Sequence, residues 1–374
     1  MTSDANSPLQ RLSALGQSVW VDYLSRESIR GGHLQELIDE DAVVGATSNP
    51  SIFEKAMSTG DAYDAQINEL AAQGADVEQT FWALAEQDIS DACDLFKPVW
   101  ESSKQRDGYV SLEVDPRLAY DTLQTYREAM RLHKTLAKPN LMVKIPATKP
   151  GLAAIEDVIA KGHSINVTLI FSLARYAEVA ESYVRGLERL VAEGGDPAKL
   201  ASVASFFVSR IDTEADKRLD ALDSSHRHDE LLGKLAIANA RLAYEHYLNV
   251  FSGPRWEYLA SKGATPQRVL WASTSTKNPA YSDIVYVEEL IGPDTVNTMP
   301  EETIEAYQDH GDPQPRLQSG LADAHKLLDD LRAAGIDYDD VTDTLEREGV
   351  EKFSAAFEVL LQTLSGKREA LAPA

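Results

Sequence analysis

One lysine of this sequence lies within an apolar segment, where burial can change the chemistry of an amine. Lys144 is flanked by Val143 and Ile145 in LMVKIP, a segment with the composition of a β-strand. Burial disfavours the ammonium form and lowers the pKa of a lysine. A neutral amine attacks a ketone, and the protonated imine that results stabilises a carbanion without a metal. Lys144 is therefore a candidate Schiff-base nucleophile; the alternative is a buried ion pair with Glu113.

Polar residues recur on one face of several strand-like segments. Ser111 and Glu113 alternate with aliphatic residues in YVSLEV, and Asn166 and Thr168 do the same in INVTLI. The polar residues on this face are Asp22, Thr47, Asn49, Ser111, Glu113, Lys144, Asn166 and Thr168. A parallel strand buried on both faces should be apolar throughout, so we interpret the polar face as a catalytic constellation inside a barrel. The alternative is a structural polar network whose members satisfy one another.

Schiff-base chemistry also needs groups that move protons. Glu113 and Asp22 are carboxylates on different strands, so their surroundings can give them different pKa values. Asn166 and Thr168 can hold a water molecule or a substrate hydroxyl.

Two cations follow late strands and are candidates for binding phosphate. Arg210 follows the sixth expected strand, and Lys277 lies in STSTKN after the seventh. Barrels often bind phosphate in the loops after late strands. An arginine binds phosphate with two parallel hydrogen bonds, whereas a lysine acts as a point charge. The alternative is that both are ordinary surface residues.

The elements that must position these residues alternate between strand-like and helix-like segments. The expected strands are Ser18–Asp22, Ala42–Thr47, Tyr109–Val114, Leu141–Pro146, Ser164–Ile170, Leu200–Val208, Arg268–Ser273 and Thr295–Met299. Segments between them, such as Phe171–Gly194, have apolar residues at helical spacing. Eight such units predict an α/β protein with a (β/α)8 TIM barrel. An open doubly wound sheet is the alternative, disfavoured because no glycine fingerprint follows any strand.

Two amphipathic segments, Leu317–Ala334 and Val350–Leu364, follow the eighth expected strand. We expect additional C-terminal helices within 316–370 that pack on the barrel, and a single barrel domain over 1–374. A helix that binds a partner protein is the alternative.

The composition limits the classes of function. The net charge of −24 argues against binding nucleic acid or an anionic membrane, so an anionic substrate would need a local basic pocket. The one cysteine, Cys93, allows no intrachain disulfide and suits a reducing compartment. We expect Cys93 to lie in the core and the protein to be cytoplasmic, without a membrane span. Small-molecule substrates are the expected partners, and a monomer or homodimer the expected assembly.

None of the histidines has a spacing typical of metal ligands, so neither a metal nor another cofactor is expected. His226 and His228 lie in the polar stretch Ser224–Glu230, which we interpret as a surface loop.

Several segments resemble the transaldolase family, in order along the chain. The two signature segments are GATSNPSIF (Gly45–Phe53) and LMVKIPATKPG (Leu141–Gly151). The resemblance continues in SLEVDPRLAYD, INVTLIFS, SFFVSRID, LWASTSTKNP and NTMPEETIEAYQDHG and covers residues 12 to 365. The length of the chain and its STSTKN segment resemble those of the longer bacterial branch of the family.

This resemblance implies a class I aldolase-type barrel, circularly permuted within that group. The implied reaction is reversible transfer of a dihydroxyacetone unit from sedoheptulose 7-phosphate or fructose 6-phosphate. The implied acceptors are glyceraldehyde 3-phosphate and erythrose 4-phosphate, in the non-oxidative pentose phosphate pathway.

Roles for individual residues also follow from the resemblance. It implies that Lys144 forms the Schiff base, that Asp22 is the acid/base of carbon–carbon cleavage, and that Glu113 and Thr168 hold the catalytic water. The implied substrate-binding residues are Asn49 and Asn166 for the dihydroxyacetone hydroxyls, Ser205 and Phe207 for the lining, and Arg210 and Ser273 for phosphate.

One position departs from the family pattern. Shorter transaldolases have an arginine two residues after the serine that Ser273 matches, and Ser275 stands there in this chain. Lys277 is the expected substitute.

Two other functions remain as alternatives. A fructose-6-phosphate aldolase of the same superfamily would release free dihydroxyacetone; that group tends to carry glutamine where Glu113 stands and tyrosine where Phe207 stands. A catalytically inactive sugar-phosphate-binding barrel would be expected to have lost Lys144 or Asp22, and both are present.

Overall fold

The strands form a closed barrel in which every strand is parallel to its neighbours and the spatial order follows the chain. The computed structural model describes residues 7–222 and 228–371. The strands are β1 (Gln17–Val21), β2 (Val43–Thr47), β3 (Val110–Glu113), β4 (Leu141–Pro146), β5 (Ile165–Ile170), β6 (Ser202–Phe207), β7 (Arg268–Ala272) and β8 (Thr295–Met299). The predicted (β/α)8 barrel is confirmed, and the open sheet is not formed.

Helices surround the barrel and cover its outer, aliphatic face. They are α1 (Pro8–Ala14), α2 (Arg26–Gly31), α3 (His33–Glu40), α4 (Pro50–Ser58), α5 (Asp64–Ala72), α6 (Val77–Ser102), α7 (Thr122–Leu136), α8 (Lys149–Ala160), α9 (Leu173–Ala192), α10 (Ser209–Leu222), α11 (Leu235–Val250), α12 (Gly253–Ser261), α13 (Val285–Glu288), α14 (Glu301–His310), α15 (Leu321–Ala334) and α16 (Tyr338–Leu371). Short 3-10 turns lie at Pro116–Leu118, Pro197–Lys199 and Asp229–Leu231.

Strand register places the polar faces inside the barrel, as the alternation predicted. Glu113 pairs with Lys144 across β3 and β4, and Lys144 pairs with Asn166 across β4 and β5. Paired residues of parallel strands point to the same side, so the three side chains share the interior. Gly45 on β2 leaves room there for the ring of Trp20, because a Cβ at Gly45 would lie 2.6 Å from that ring.

Several helices begin at a polar cap directly after a strand, which fixes the loops at the carboxyl ends of the strands. The Asn49 side chain accepts a hydrogen bond from the Ile52 amide at the start of α4. Thr148 and Ser172 cap α8 and α9 in the same way. These caps satisfy amides that the first helical turn leaves unpaired, so the mouth of the barrel has a defined backbone.

The opposite, amino-terminal end of the barrel contains a buried ion pair. A guanidinium nitrogen of Arg268 lies 2.9 Å from a carboxylate oxygen of Asp107, and Arg268 also donates to Ser18 Oγ. Each of these groups is satisfied by the others. In this fold the amino-terminal end contributes mainly to stability, whereas chemistry takes place at the carboxyl end.

The C-terminal helices pack on the barrel, and the last one is longer than the sequence pattern indicated. The segment expected at Val350–Leu364 is the middle of α16, which runs from Tyr338 to Leu371. The helix begins earlier because its first turns are also buried, through Val341 and Leu345. A polar contact adds to this packing at the start of the helix, where Tyr338 Oη donates to Asn239 Oδ1 at 2.6 Å.

Other expectations concern single residues and membrane segments. Cys93 is fully buried in α6, which confirms its expected place in the core. No helix within the described ranges is long and apolar enough to cross a membrane. His228 lies directly before the 3-10 turn Asp229–Leu231, whereas His226 lies outside the described residues.

Candidate active site

A cavity of about 240 Å³ opens at the carboxyl ends of the strands. The predicted site residues that line it are Asp22, Thr47, Asn49, Lys144, Thr168, Ser205, Phe207, Arg210, Ser273 and Lys277. The other three, Ser111, Glu113 and Asn166, do not line it and belong to the polar layer within the barrel. Residues from the ends of several different strands therefore meet in one place.

Lys144 is the central amine of this cavity, and only 6% of its side chain is exposed. Its Nζ atom donates a hydrogen bond of 3.0 Å to the carbonyl oxygen of Ser48. A carboxylate oxygen of Glu113 lies 3.6 Å from the same Nζ atom. The amine is held in place from two sides, and it reaches the cavity.

Glu113 has the surroundings of a group that exchanges protons near neutrality. Burial raises the pKa of Glu113 to about 7, although the nearby charge of Lys144 opposes that rise. Neither carboxylate oxygen accepts a hydrogen bond from any described residue, and the buried Thr168 hydroxyl is also unpaired within that part of the chain. The carboxyl of Glu113 and the hydroxyl of Thr168 are therefore each available to a small polar ligand such as water.

Asp22 follows β1 directly and lies on another side of the cavity. Its Oδ1 atom accepts a hydrogen bond of 2.6 Å from Thr47, whose hydroxyl is 2.7 Å from that of Thr298. Burial raises the pKa of Asp22, while the charges of Lys144 and Arg210 and the Thr47 hydrogen bond lower it. The threonine fixes the orientation of the carboxylate, which faces the cavity as a candidate base.

A chain of hydrogen bonds within the barrel joins three of the predicted residues. Ser205 Oγ donates to Asn166 Oδ1 at 2.7 Å, and Asn166 Nδ2 donates to Ser111 Oγ at 3.0 Å. Ser111 and Asn166 are completely buried. The chain fixes the amide of Asn166 next to β4, so these groups support the layer from which Lys144 projects.

Arg210 lies in the first turn of α10, directly after β6 and two strands along the barrel from the strand that carries Lys144. Its guanidinium carbon lies 5.2 Å from the centre of the Phe207 ring, in a cation–π arrangement. Burial lowers the pKa of Arg210, and the charges of Asp22 and Glu348 oppose that effect. The guanidinium thus stands against an aromatic face with donors available to an anion.

The segment after β7 brings a second cation to the mouth. Ser273 adopts a left-handed conformation with φ of 57°, and its hydroxyl lies 3.0 Å from that of Ser209. Lys277 is exposed, and its Nζ atom donates to Ser275 Oγ at 2.6 Å. Together with Arg210, these groups form a cationic and hydroxyl-rich corner.

Two tyrosine–aspartate pairs hold this segment to α10. Tyr281 Oη donates to Asp216 and Tyr286 Oη donates to Asp212, each at 2.8 Å. Burial raises the pKa of Asp212 to about 7. A Cβ at Gly233 would lie 2.6 Å from the Tyr281 ring, so this ring also packs on backbone. The segment that carries Lys277 is therefore fixed to α10, the helix whose first turn carries Arg210.

Sequence reasoning missed several residues of the lining: Ser51, Ala272, Ser275, Thr298, Pro300, Glu302 and Phe353. Thr298 and Glu302 lie at the end of β8 and just after it, so the rule that barrel chemistry follows strand ends was sufficient to find them. Phe353 comes from α16, and no local signal places it at the mouth.

The arrangement can support carbanion chemistry on a phosphorylated carbonyl compound. It combines a buried amine, a carboxyl of raised pKa beside it, a second carboxylate across the cavity, and two cations at the mouth. Within the described residues, no group of three or more His, Cys, Asp or Glu side chains is arranged as a metal site.

A model of the family described as Transaldolase/Fructose-6-phosphate aldolase matches residues 19–364. The chain belongs to the transaldolase/fructose-6-phosphate aldolase family. A transaldolase of Saccharopolyspora erythraea is 54% identical over 360 residues, which are 96% of this chain and 97% of that protein. A transaldolase of Mycobacterium tuberculosis is 54% identical over 359 residues, or 96% of both chains. A transaldolase of Renibacterium salmoninarum is 52% identical over 351 residues, or 94% of both.

Membership of the transaldolase/fructose-6-phosphate aldolase family confirms the family that the sequence motifs indicated. It implies sugar-phosphate substrates, as expected. All three relatives carry the name transaldolase, which agrees with the predicted activity rather than with the aldolase alternative.

Proposed function

We propose that this chain is a transaldolase that moves a dihydroxyacetone unit from a ketose phosphate to an aldose phosphate through a Schiff base on Lys144. The observation that carries the proposal is the pairing of Lys144 with Glu113 at the edge of a cavity that also contains Asp22 and Arg210. The donors are sedoheptulose 7-phosphate and fructose 6-phosphate, and the acceptors are glyceraldehyde 3-phosphate and erythrose 4-phosphate.

The first steps take place around Lys144. Its neutral amine adds to the C2 carbonyl of the donor and gives a carbinolamine. Glu113, with a pKa of about 7, supplies the proton with which the C2 hydroxyl leaves as water. A water molecule held between Glu113 and Thr168 carries that proton, because both side chains have free polar atoms facing the same interior.

Carbon–carbon cleavage uses the opposite side of the cavity. The Asp22 carboxylate removes the proton from the C4 hydroxyl, and the C3–C4 electron pair moves into the iminium. An aldose phosphate leaves, and the three-carbon unit remains on Lys144 as an enamine. When the acceptor aldehyde binds, the enamine carbon attacks it and Asp22 returns the proton to the new hydroxyl. Water then adds to the new C2 iminium, which reverses the first steps, releases the product ketose phosphate and restores the Lys144 amine. The hydrogen bond from Thr47 keeps the carboxylate in position for both transfers.

Phosphate binds in the corner formed by α10 and the segment after β7. Arg210 offers paired donors, Ser273 a hydroxyl, and Lys277 a positive charge. Lys277 takes the part of the arginine that shorter family members have at the position of Ser275. Asn49 and Ser205, which line the cavity, provide polar groups for the hydroxyls of the dihydroxyacetone unit. Asn166 contributes through its hydrogen bond with Ser205 rather than from the cavity wall.

Release of free dihydroxyacetone, the fructose-6-phosphate aldolase activity, is the second candidate function. Glu113 and Phe207 favour transfer, because aldolases of this superfamily tend to have glutamine and tyrosine at those positions.

The decisive experiment traps the intermediate. The protein is incubated with fructose 6-phosphate and borohydride in the presence of a chelator, and the adduct is located by peptide mapping. We expect a three-carbon adduct on Lys144, and sedoheptulose 7-phosphate when erythrose 4-phosphate replaces borohydride. A folded protein that forms no adduct would contradict the Schiff-base mechanism. An adduct without transfer would favour the fructose-6-phosphate aldolase activity.

The remaining expectations stay predictions. We propose that residues 1–374 act as one barrel domain with the helices in 316–370 as its extension, since α15 and α16 pack on the barrel. We also propose a cytoplasmic location and a monomeric or homodimeric assembly.

A further inference from the structure

Helix α16 crosses the carboxyl end of the barrel with one continuous stripe facing inward. The stripe consists of Gly349, Phe353, Phe357, Leu360 and Leu364, which are spaced by one helical turn. At Gly349 an added Cβ would lie 3.1 Å from Leu169 and 3.4 Å from Phe171, at the end of β5. The absence of a side chain at that point lets the helix lie directly on the mouth of the barrel.

The next stripe residue, Phe353, lines the cavity that contains Lys144 and Arg210. Only 6% of Phe353 is exposed. One turn later the ring of Phe357 packs edge-on against Phe81, with centroids 5.1 Å apart. The contacts of Gly349 and of Phe357 fix the helix on either side of Phe353. The ring of Phe353 is therefore held at the cavity.

Most of the residues that line the cavity are polar, and Phe353 is the second aromatic residue among them. Apart from Ala272 and Pro300, the described lining residues include only two apolar side chains, Phe207 and Phe353. They come from different elements, the end of β6 and α16. Both restrict how much water can stand beside the polar groups of the site.

Both ends of α16 are tied down, so the helix is a fixed cover. Near its start, Arg175 forms an ion pair with Glu346 at 3.1 Å. Near its end, Arg368 donates to the carbonyl oxygen of Ala75 at 2.6 Å, and Lys367 lies 3.0 Å from Asp64. These ties join α16 to α9, to α5 and to the segment before α6.

We propose that Phe353 is a specificity-determining residue that keeps water from the enamine and so favours transfer over release of free dihydroxyacetone. The inference rests on the proposed function. Release requires a proton on the enamine carbon and then addition of water to the C2 iminium, which frees dihydroxyacetone and restores the Lys144 amine. From the enamine onwards this route consumes one water molecule, equal to the one lost when the Schiff base formed. Hydrolysis of a C2 iminium also ends the transfer route, so the two routes diverge at protonation of the enamine carbon. A ring over the cavity lowers the access of water that could deliver that proton, whereas an acceptor aldehyde occupies the space and excludes water itself.

The test compares Phe353→Ala and Phe353→Leu with the unaltered protein, using fructose 6-phosphate and erythrose 4-phosphate in deuterated water. The ratio of free dihydroxyacetone to sedoheptulose 7-phosphate is measured, together with deuterium at the former enamine carbon. We expect Phe353→Ala to raise the ratio roughly tenfold, which corresponds to about 1.4 kcal/mol in relative barrier height. Phe353→Leu should give a smaller rise and deuterated product.

Leu360→Ala is the matched control, because Leu360 is fully buried on the same stripe and does not line the cavity. It should lower thermal stability and leave the ratio unchanged. An equal rise in Leu360→Ala, or an unchanged ratio in both Phe353 variants, would overturn the inference. If Phe353→Ala does not fold, Phe353→Leu decides. An unaltered protein that fails to transfer at all would instead refute the proposed function.

Discussion

Lys144 and Glu113 are direct partners across β3 and β4, and the Nζ atom of Lys144 lies 3.6 Å from a carboxylate oxygen of Glu113. Both side chains are almost completely buried. The Glu113 carboxyl therefore faces the Lys144 amine without contact with bulk water. Because burial raises the pKa of Glu113 to about 7, a small change in its surroundings shifts the proton at neutral pH.

Replacing the lysine should remove the nucleophile and leave the fold. In Lys144→Met we expect transfer to fall by roughly a thousandfold or more, as when a covalent catalyst is removed, and the borohydride adduct to disappear. The carboxyl left at Glu113 can bind a proton, because the loss of the positive charge raises its pKa further. Peptide mapping and a thermal melt check this. An adduct on another lysine would contradict the assignment.

The pH dependence of Schiff-base formation should follow Glu113. A carboxyl with a pKa of about 7 is protonated below pH 7 and loses its proton as the pH rises through that value. The dehydration step should therefore slow above pH 7 in single-turnover trapping. In Glu113→Gln the rate of dehydration should no longer decrease above pH 7, and it should be roughly a hundredfold lower than in the unaltered protein. If the decrease above pH 7 persists in Glu113→Gln, another group supplies the proton.

Folding stability should respond to pH through Asp212. Its pKa is raised from 3.8 to about 7 in the folded protein, mainly by burial. Between these values the folded state binds more protons than the unfolded chain. The contribution of Asp212 to the free energy of unfolding therefore falls as the pH rises from about 4 to about 7. Urea denaturation at several pH values measures how the free energy of unfolding changes with pH. We expect Asp212→Asn to be less stable, because the amide cannot accept from both Ala236 and Tyr286, and to show a smaller slope. An unchanged slope would mean that Asp212 ionises in both states alike.

Lys277 should affect substrate binding more than the chemical step. Its charge lies at the mouth of the cavity, next to Ser275. We expect Lys277→Met to raise KM for phosphorylated donors roughly tenfold with little change in kcat, since a hydrogen bond to a charged group contributes about 1.5–3 kcal/mol. Lys199→Met, at an exposed ion pair with Asp196, is the control. Equal effects of both variants would point to general surface charge.

Two glycines provide a matched test of packing. Gly45→Ala would place a Cβ 2.6 Å from the rigid ring of Trp20, so we expect a loss of about 1–3 kcal/mol in the free energy of unfolding. Gly366, in the exposed part of α16, has no atom within 4 Å of the position that a Cβ would take. Gly366→Ala should gain up to about 1 kcal/mol from helix propensity. Chemical denaturation measures both, and a stable Gly45→Ala would mean that the Trp20 ring can move aside.

The strands and their inward polar face could be predicted, because the alternation of polar and apolar residues is a local property of the sequence. The depth at which each residue lies in the barrel could not be predicted in this way. Ser111 and Asn166 share the interior face, yet register places them in a buried layer where they bond to each other. The alternation of polar and apolar residues indicates which face of a strand a side chain is on. The depth of that side chain within the barrel depends on how neighbouring strands are staggered.

Phe353 could not be predicted from sequence for a different reason. Its helical stripe indicates only that one side of α16 is buried, and the surface that it covers lies far away in the chain. The contact of Gly349 with Leu169 joins residues that no local pattern relates. Asp216 and Tyr281 were missed in the same way, since their hydrogen bond links two separate βα units.

The anchoring of α16 also bears on the order in which the protein folds. The bond from Arg368 to Ala75 closes a loop of 293 residues. Contacts between such distant residues form late, because the entropy lost on loop closure must be offset by structure that already exists. A chain whose barrel has closed before α16 docks would already hold Lys144 in place but would lack its cover. Transfer of the dihydroxyacetone unit to an acceptor, rather than formation of the Lys144 adduct, is therefore the activity that reports complete folding.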